Sequence, residues 1–311
     1  MKLISVMTPC YNEEENVEDI YSKVKEIFNG LEGYQYEHIF IDNCSKDKTV
    51  DILRKIAEED KNVKIIINAR NFGHIRSPYY ALLQTKGDAV ISLAADFQDP
   101  PDLIRDFIKK WEEGYKLVLA VKTESKEPGP IFFIRKIYYD LINNLSDKDV
   151  GLVKNFTGFG LYDRIIIDIL KDIDDPYPYF RGLICDIGFE KAIIEFVQPE
   201  RKKGITKNNF YTLYDMAMLG ITSHSRVPLR IATFLGFGLS ILSLLVALTY
   251  FIYKLVFWYN FNVGMAPLVI GLFFFSSVQL FFIGIIGEYI GSIHTRSLKR
   301  PLVIEKERIN F

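Results

Sequence analysis

The sequence predicts an α/β protein with a mostly parallel, doubly wound sheet, followed by a two-helix hairpin that crosses a membrane. Three observations carry this. Short apolar runs alternate with segments of helical apolar period up to about residue 149. Polar and acidic residues collect directly after three of those runs. Two later stretches, 231–253 and 265–287, each run 23 residues without a charge.

The strand-like runs are 3–7, 38–41, 63–68, 89–93 and 117–121, and the helical segments between them are 16–28, 49–59, 77–86 and 103–112. Such alternation with short loops builds parallel strands with helices on both faces. Ligands of these sheets bind beyond the carboxyl ends of the strands, so the residues there carry the functional signal. The N-terminal apolar stretch ends within a few residues, at Pro9. That is too short for a signal peptide and suits a first strand. No internal repeat or low-complexity tract is visible.

Each charge-free stretch reaches about 34 Å as a helix, enough for a hydrocarbon core of roughly 30 Å. The alternative, two buried core helices, would have to hide every face of both segments. The connection 257–264 has no Lys or Arg, whereas Arg226 and Arg230 precede the first stretch and Arg296, Lys299 and Arg300 follow the second. Positive residues stay inside, so both termini are expected in the cytoplasm. Lys254 can snorkel, and Trp258 and Tyr259 suit an aromatic belt. Gly287 and Gly291 form a Gly-x-x-x-Gly pair that suits helix packing in a homo-oligomer, a dimer or tetramer. The expected division is a cytoplasmic catalytic domain at 1–209, a juxtamembrane amphipathic segment at 210–230, spans at 231–257 and 265–291, and a cytoplasmic polar tail at 292–311. In the juxtamembrane segment Phe210, Tyr211, Tyr214, Met216, Met218 and Leu219 would lie on the inner leaflet.

Composition narrows the function. With 38 Lys+Arg against 39 Asp+Glu and a net charge of -1, the chain is neither a basic nucleic-acid binder nor an acidic disordered tail. Charged residues at 25% and apolar residues at 49% are ordinary, and the mean hydropathy of +0.09 is raised by the two long stretches. Cys10, Cys44 and Cys185 are scattered and lack nearby His ligands, so neither a disulfide framework nor a zinc site is indicated and reduced thiols in a cytosolic compartment are expected.

The motifs sit at the strand ends. After the first run comes Thr8-Pro9-Cys10-Tyr11-Asn12-Glu13, and after the second Asp42-Asn43-Cys44-Ser45-Lys46-Asp47-Lys48-Thr49. After the fourth comes Ala94-Ala95-Asp96-Phe97-Gln98-Asp99-Pro100-Pro101. Asp96 with Gln98 or Asp99 supplies the hard oxygens that Mg²⁺ or Mn²⁺ prefers. Any one of these segments alone reads as a turn or helix cap, as with Asp47 before Thr49. Three at one sheet edge point to a nucleotide and a divalent metal.

In this order, followed by two spans, the motifs resemble family 2 glycosyltransferases of the GT-A fold. More narrowly they resemble the polyprenyl-phosphate branch, which includes dolichol-phosphate mannose synthases and bactoprenol glucosyltransferases. Asn71-Phe72-Gly73, Arg181-Gly182, the basic run from Arg201 to Lys207 and Pro228-Leu229-Arg230 extend the likeness over nearly the whole chain. The resemblance implies a nucleotide-sugar site at Pro9, Tyr11, Asn12, Glu13, Ile41, Asp42, Asn43, Asn71 and Asp96. It implies Mg²⁺ or Mn²⁺ at Asp96 and Gln98, acceptor-phosphate contacts at Lys122, Arg135, Arg201 and Lys207, and catalytic roles for Asp96, Arg201 and Lys207. The chain departs from the pattern at Ala94, where the family usually has Asp, and at Asn43, where it has a second Asp. Coordination would then lean on Asp96, Gln98, diphosphate oxygens and water.

The implied chemistry transfers a sugar from a nucleotide to a lipid monophosphate. A phosphomonoester has a second pKa of about 6, so the acceptor is mostly dianionic at neutral pH and needs little base help. Two anions must instead be held in line, which calls for Arg and Lys. Arg135, Lys136, Arg201, Lys202, Lys203 and Lys207 are the candidates. Direct attack predicts inversion. The expected function is therefore inverting, metal-dependent transfer from a nucleotide sugar, UDP-glucose by analogy, to an undecaprenyl- or dolichyl-type phosphate on the cytoplasmic membrane face. Two alternatives stand beside it. A polysaccharide synthase would carry Gln-x-x-Arg-Trp, where this chain has Gln198-Pro199-Glu200-Arg201-Lys202. A non-catalytic nucleotide-sugar-binding adaptor would explain Ala94. His74, Asp163, Arg164 and Asp186 are weaker candidates near donor or acceptor, and Glu288 reads as interfacial.

Overall fold

The computed structural model describes residues 1–123, 153–199, 210–257 and 265–311. The expected alternation opens the fold as β1 (Lys2–Cys10), α1 (Val17–Asn29), β2 (Tyr34–Asp42), α2 (Thr49–Glu59), β3 (Val63–Asn68), α3 (Gly73–Leu83), β4 (Ala89–Ser92), α4 (Ile104–Glu112) and β5 (Leu117–Lys122). It continues through β6 (Phe156–Asp163), α5 (Arg164–Ile173), α6 (Phe180–Asp186) and β7 (Lys191–Phe196). The helices α7 (Phe210–His224), α8 (Val227–Val256) and α9 (Met265–Ser297) lead to a last strand, β8 (Glu305–Ile309).

The central strands are covered on both faces, which is why they read as nearly unbroken apolar runs: Ile4, Val6 and Met7 of β1 are all buried. The helices cover them with single stripes. Val17, Ile20, Val24, Ile27 and Phe28 of α1 and Ile104, Phe107, Ile108 and Trp111 of α4 fall at helical spacing and are the buried residues of those helices. One apolar cluster joins α1, α2 and α4 to the sheet; the other joins α3, α5 and α6 to it.

The strands lie in the order β7-β5-β6-β4-β1-β2-β3-β8. β1 pairs in parallel with β2 and β4, β2 with β3, and β5 with β7; β6 is antiparallel to β4 and β5, and β8 to β3. All described strands except β6 and β8 therefore point one way. The carboxyl ends of that set share one edge with the amino ends of β6 and β8. The chain leaves β7 at this edge, and it returns from α9 into β8 at the same edge.

Two elements depart from the expected reading. The segment expected as a polar tail carries α9 on to Ser297 and then β8, whose Arg308 and Glu307 pair with Ile66 and Ile67 of β3. It is charged because it closes an exposed sheet edge, where charge discourages further pairing. Arg54 forms an ion pair with Glu307, and the Tyr80 hydroxyl donates to Glu305 Oε1 at 2.9 Å. β6 escapes an alternation test because of its glycines. Gly160 lies so close to β5 that a Cβ there would collide with the Val118 carbonyl oxygen.

α8 and α9 are each long and apolar enough to cross a membrane, and neither span is buried within the protein. Phe234 is 76% exposed and Leu244 69%, so these are not core helices of a soluble domain. The start of α8 and the last turns of α9 are bolted to the globular part. The Tyr289 hydroxyl donates to the Ser225 carbonyl at 2.6 Å, Tyr214 donates to Glu288 at 3.0 Å, and Arg296 reaches Ser223 at 2.9 Å and Asp175 at 3.3 Å.

Candidate active site

A cleft of about 370 Å³ opens at the carboxyl edge of the sheet. Pro9, Ala94, Asp96, Gln98 and Asp99 are among the residues that line one part of it, Lys122 and Gln198 another, and His74 of α3, Arg181 of α6 and Met216 and Leu219 of α7 a third.

The loops after β1 and β2 are sewn together. The Asn12 amide donates to Ser45 Oγ at 2.8 Å, while Asn12 Oδ1 accepts from the Lys46 amide at 2.7 Å. The Glu13 amide donates to Thr49 Oγ1 at 2.8 Å, and Glu13 Oε2 accepts from Asn16 at 2.7 Å. Tyr11 stands half-buried at this turn. Asn12 (φ 54), Cys44 (φ 68) and Phe97 (φ 59) all adopt the left-handed region although none is glycine. One such residue falls in each motif loop, and strain of this kind, about 1–3 kcal/mol per residue, persists where a surrounding structure over-determines it.

Asp42 is fully buried at the end of β2. Its Oδ2 accepts from the Ser45 amide at 3.0 Å, whereas Oδ1 is buried with no partner. Burial raises its pKa above the ordinary carboxylate value. Asn43, beside it, is tied down completely. Its Nδ2 donates to Asn71 Oδ1 at 3.0 Å and to the Gly73 carbonyl at 3.1 Å, while its Oδ1 accepts from the Phe72 amide at 2.8 Å and from Asn68 at 3.2 Å. This accounts for Asn at a position where the resembling family has Asp, because a carboxylate has no proton to give Asn71 and Gly73. Asn71 is likewise engaged, with its Oδ1 also taking the Gly73 amide at 2.8 Å. Ile41 is fully buried in the core, between Pro9 of β1 and Ile66 of β3.

Asp96, 7% exposed, accepts from the Gln98 amide through Oδ1 at 3.1 Å, which fixes the turn that carries both side chains into the cleft. Asp99 Oδ2 accepts from the Ala94 amide at 3.2 Å. Burial pushes the Asp99 carboxyl up to about 7, and the neighbouring charge of Asp96 adds to the rise. Among the described residues no group of three or more His, Cys, Asp or Glu could hold a metal by itself. One carboxylate and one amide oxygen at the cleft do fit a hard cation that takes its other ligands from diphosphate and water.

On the cationic side, Lys122 Nζ donates to Gln198 Oε1 at 2.7 Å in the cleft wall. Arg135, Arg201 and Lys207, with Lys136, Lys202 and Lys203, lie outside the described residues. Asp163 and Arg164 are at the opposite edge, where Asp163 accepts from Trp111 at 2.7 Å and Lys116 at 2.9 Å, a structural knot rather than an acceptor site. Arg181 had a sequence signal only as part of the Arg181-Gly182 pair. Its convergence with His74 depends on α3 and α6 packing over the same strands.

Residues 5–168, just over half the chain, match the family model for Glycosyl transferase family 2. The chain belongs to glycosyl transferase family 2. This glycosyltransferase is 35% identical over 96% of its length to the uncharacterized glycosyltransferase YkcC of Bacillus subtilis, covering 92% of that protein. It is 35% identical to the bactoprenol glucosyl transferase of Shigella phage SfV, covering 97% of this chain and 98% of the phage protein. Among solved structures, glucosyl-3-phosphoglycerate synthase from Mycobacterium tuberculosis, crystallised with Mn²⁺, uridine-diphosphate and phosphoglyceric acid, aligns with a TM-score of 0.50 at 19% identity, over 71% of this chain and 76% of that one. That likeness is one of fold, and it agrees with the GT-A arrangement of sheet and helices.

Proposed function

We propose that this glycosyltransferase moves glucose from UDP-glucose to a polyprenyl phosphate at the cytoplasmic face of a membrane, with inversion at the anomeric carbon. One observation carries the reading. A single cleft extends from Asp96 and Gln98 at the sheet edge to Met216 and Leu219 of α7, the helix bonded to the inner end of the hairpin. A polar donor and a greasy acceptor can both reach it. The full-length similarity to bactoprenol glucosyl transferases supports the acceptor class.

The loops around Pro9, Tyr11, Asn12, Glu13 and Asp42 form the nucleotide side, where Asp42 Oδ1 is an acceptor without a donor. Asp96 and Gln98 would hold Mg²⁺ or Mn²⁺ against the donor diphosphate, and the cation when bound neutralises charge on the leaving group. Lys122 brings positive charge to the opposite wall. The acceptor phosphate attacks as a dianion, so the chain has to position two anions rather than abstract a proton.

The test is nucleotide release from a panel of sugar nucleotides, with undecaprenyl phosphate and Mg²⁺ or Mn²⁺ present. Release is expected with UDP-glucose and is expected to fall about 100-fold or more in Asp96→Ala, as loss of a group holding leaving-group charge implies. An adaptor would release nothing with any donor, and an undiminished Asp96→Ala would refute the assigned role.

A further inference from the structure

The same cleft contains a cation that the transfer reading above has not assigned. Arg181 is half-buried in the cleft wall, and among the described residues its guanidinium makes no hydrogen bond and no ion pair. His74, which lines the same wall, also has no side-chain partner among them. The two are near one another, since the Arg181 charge, after burial, helps hold the His74 imidazole below its ordinary range. Asp99 feels the same charge, yet its carboxylate bonds the Ala94 amide instead of closing an ion pair with Arg181. Lys122, by contrast, is already tied to Gln198.

A charge drawn partly out of water is tolerated when a ligand brings the opposite charge. The planar fork of Arg suits the oxygens of a phosphate, which it can hold through two parallel hydrogen bonds. The surroundings indicate which phosphate. Arg181 is flanked in the wall by Phe180 and Pro178, His74 by Ile75 and Pro78, and α7 adds Met216 and Leu219. A nucleoside diphosphate is hydrophilic on both sides of its phosphates. The phosphate of an isoprenoid lipid is hydrophilic on one side only, which matches an anion site set in an apolar wall.

We propose that Arg181, with His74 beside it, binds the phosphate of the lipid acceptor. The assignment rests on the transferase reading and adds a site to it: the donor diphosphate belongs to the Asp96–Gln98 end, and the acceptor head group to the end bounded by α3, α6 and α7.

The experiment uses the full chain in lipid nanodiscs, with UDP-glucose and undecaprenyl phosphate as substrates and calorimetry of UDP as a separate readout. Arg181→Gln is expected to raise KM for undecaprenyl phosphate about 10- to 100-fold, the usual effect of losing a charge-assisted hydrogen bond. KM for UDP-glucose and the affinity for UDP should stay at wild-type values, and the retained UDP affinity shows that the variant is folded. Arg181→Lys should fall between the two, and His74→Gln should give a smaller rise in the same parameter. Wild type should bind undecaprenyl phosphate in preference to undecaprenol, and Arg181→Gln should lose that preference. An Arg181→Gln that weakens UDP binding, or that leaves the lipid KM unchanged, overturns the assignment while leaving the transferase reading intact. A wild-type chain that neither binds UDP nor transfers sugar brings down the transferase reading itself.

Discussion

Asn43 has every hydrogen-bonding group of its amide engaged by its own fold, with two donors to the α3 entry and two acceptances from it and from β3. Asn43→Asp would aim a carboxylate at the Asn71 and Gly73 oxygens, so a loss of about 2 kcal/mol or more is expected from unsatisfied groups. Denaturation in one detergent at one pH measures this, and an unchanged midpoint would contradict it. His38 makes a pH-dependent contribution. It is fully buried, with Nε2 3.0 Å from Thr8 Oγ1 and Nδ1 unpartnered, and burial lowers its pKa to about 3. Its folded pKa lies below the unfolded value near 6.5, so its contribution is present above about pH 6.5 and is lost progressively as pH falls toward the folded value. Between pH 7 and pH 5 wild type should lose about 2 kcal/mol relative to His38→Gln. Parallel curves for the two proteins would exclude the effect. At this scale Asp96 and Gln98 were legible because they share one polar turn with Asp99 and two prolines. The duties of Asn43 were not, since its partners come from β3 and the start of α3, and Arg181 and His74 meet only in three dimensions.

The elements divide along the same lines. β1 to β5 and the helices between them were legible because parallel strands buried on both faces read as short unbroken apolar runs, while one-sided helices leave a period of 3.6. α3 begins four residues earlier than its apolar pattern suggested, at Gly73, whose positive φ of 85 lets the chain turn into the helix. β8 was illegible because an edge strand of sequence Glu-Lys-Glu-Arg-Ile shows no buried face. It nevertheless covers β3 and holds α3 through Tyr80. Removing residues 305–311 uncovers that edge and is expected to lower Tm by about 5 °C or more, or to cause aggregation, on a loss of a few kcal/mol. Arg54→Ala, which breaks only an ion pair with both partners over a third exposed, should change stability by about 1 kcal/mol at most. Thermal melts and size-exclusion profiles separate these outcomes, and a truncated chain that melts like wild type would show the strand to be dispensable.

For the whole molecule, strand direction decides where the cleft lies relative to the two long apolar helices. The one-way set of strands sends its carboxyl ends, with Pro9, Asp42, Asp96 and Lys122, to a single edge. β8 runs the other way, so the chain coming from α9 enters at that same edge, and Arg296 and Tyr289 fix the hairpin there. A site at the opposite edge of this sheet would lie away from the end of the hairpin that Arg296 and Tyr289 hold. The most direct measurement is the mass and anomeric configuration of the lipid product after the full chain in nanodiscs is incubated with UDP-glucose, undecaprenyl phosphate and Mg²⁺. Undecaprenyl phosphate bearing one glucose of inverted configuration, formed in step with UDP and absent with Asp96→Ala, is the expected result. UDP released with glucose recovered only in water, or a lipid product of retained configuration, would contradict it.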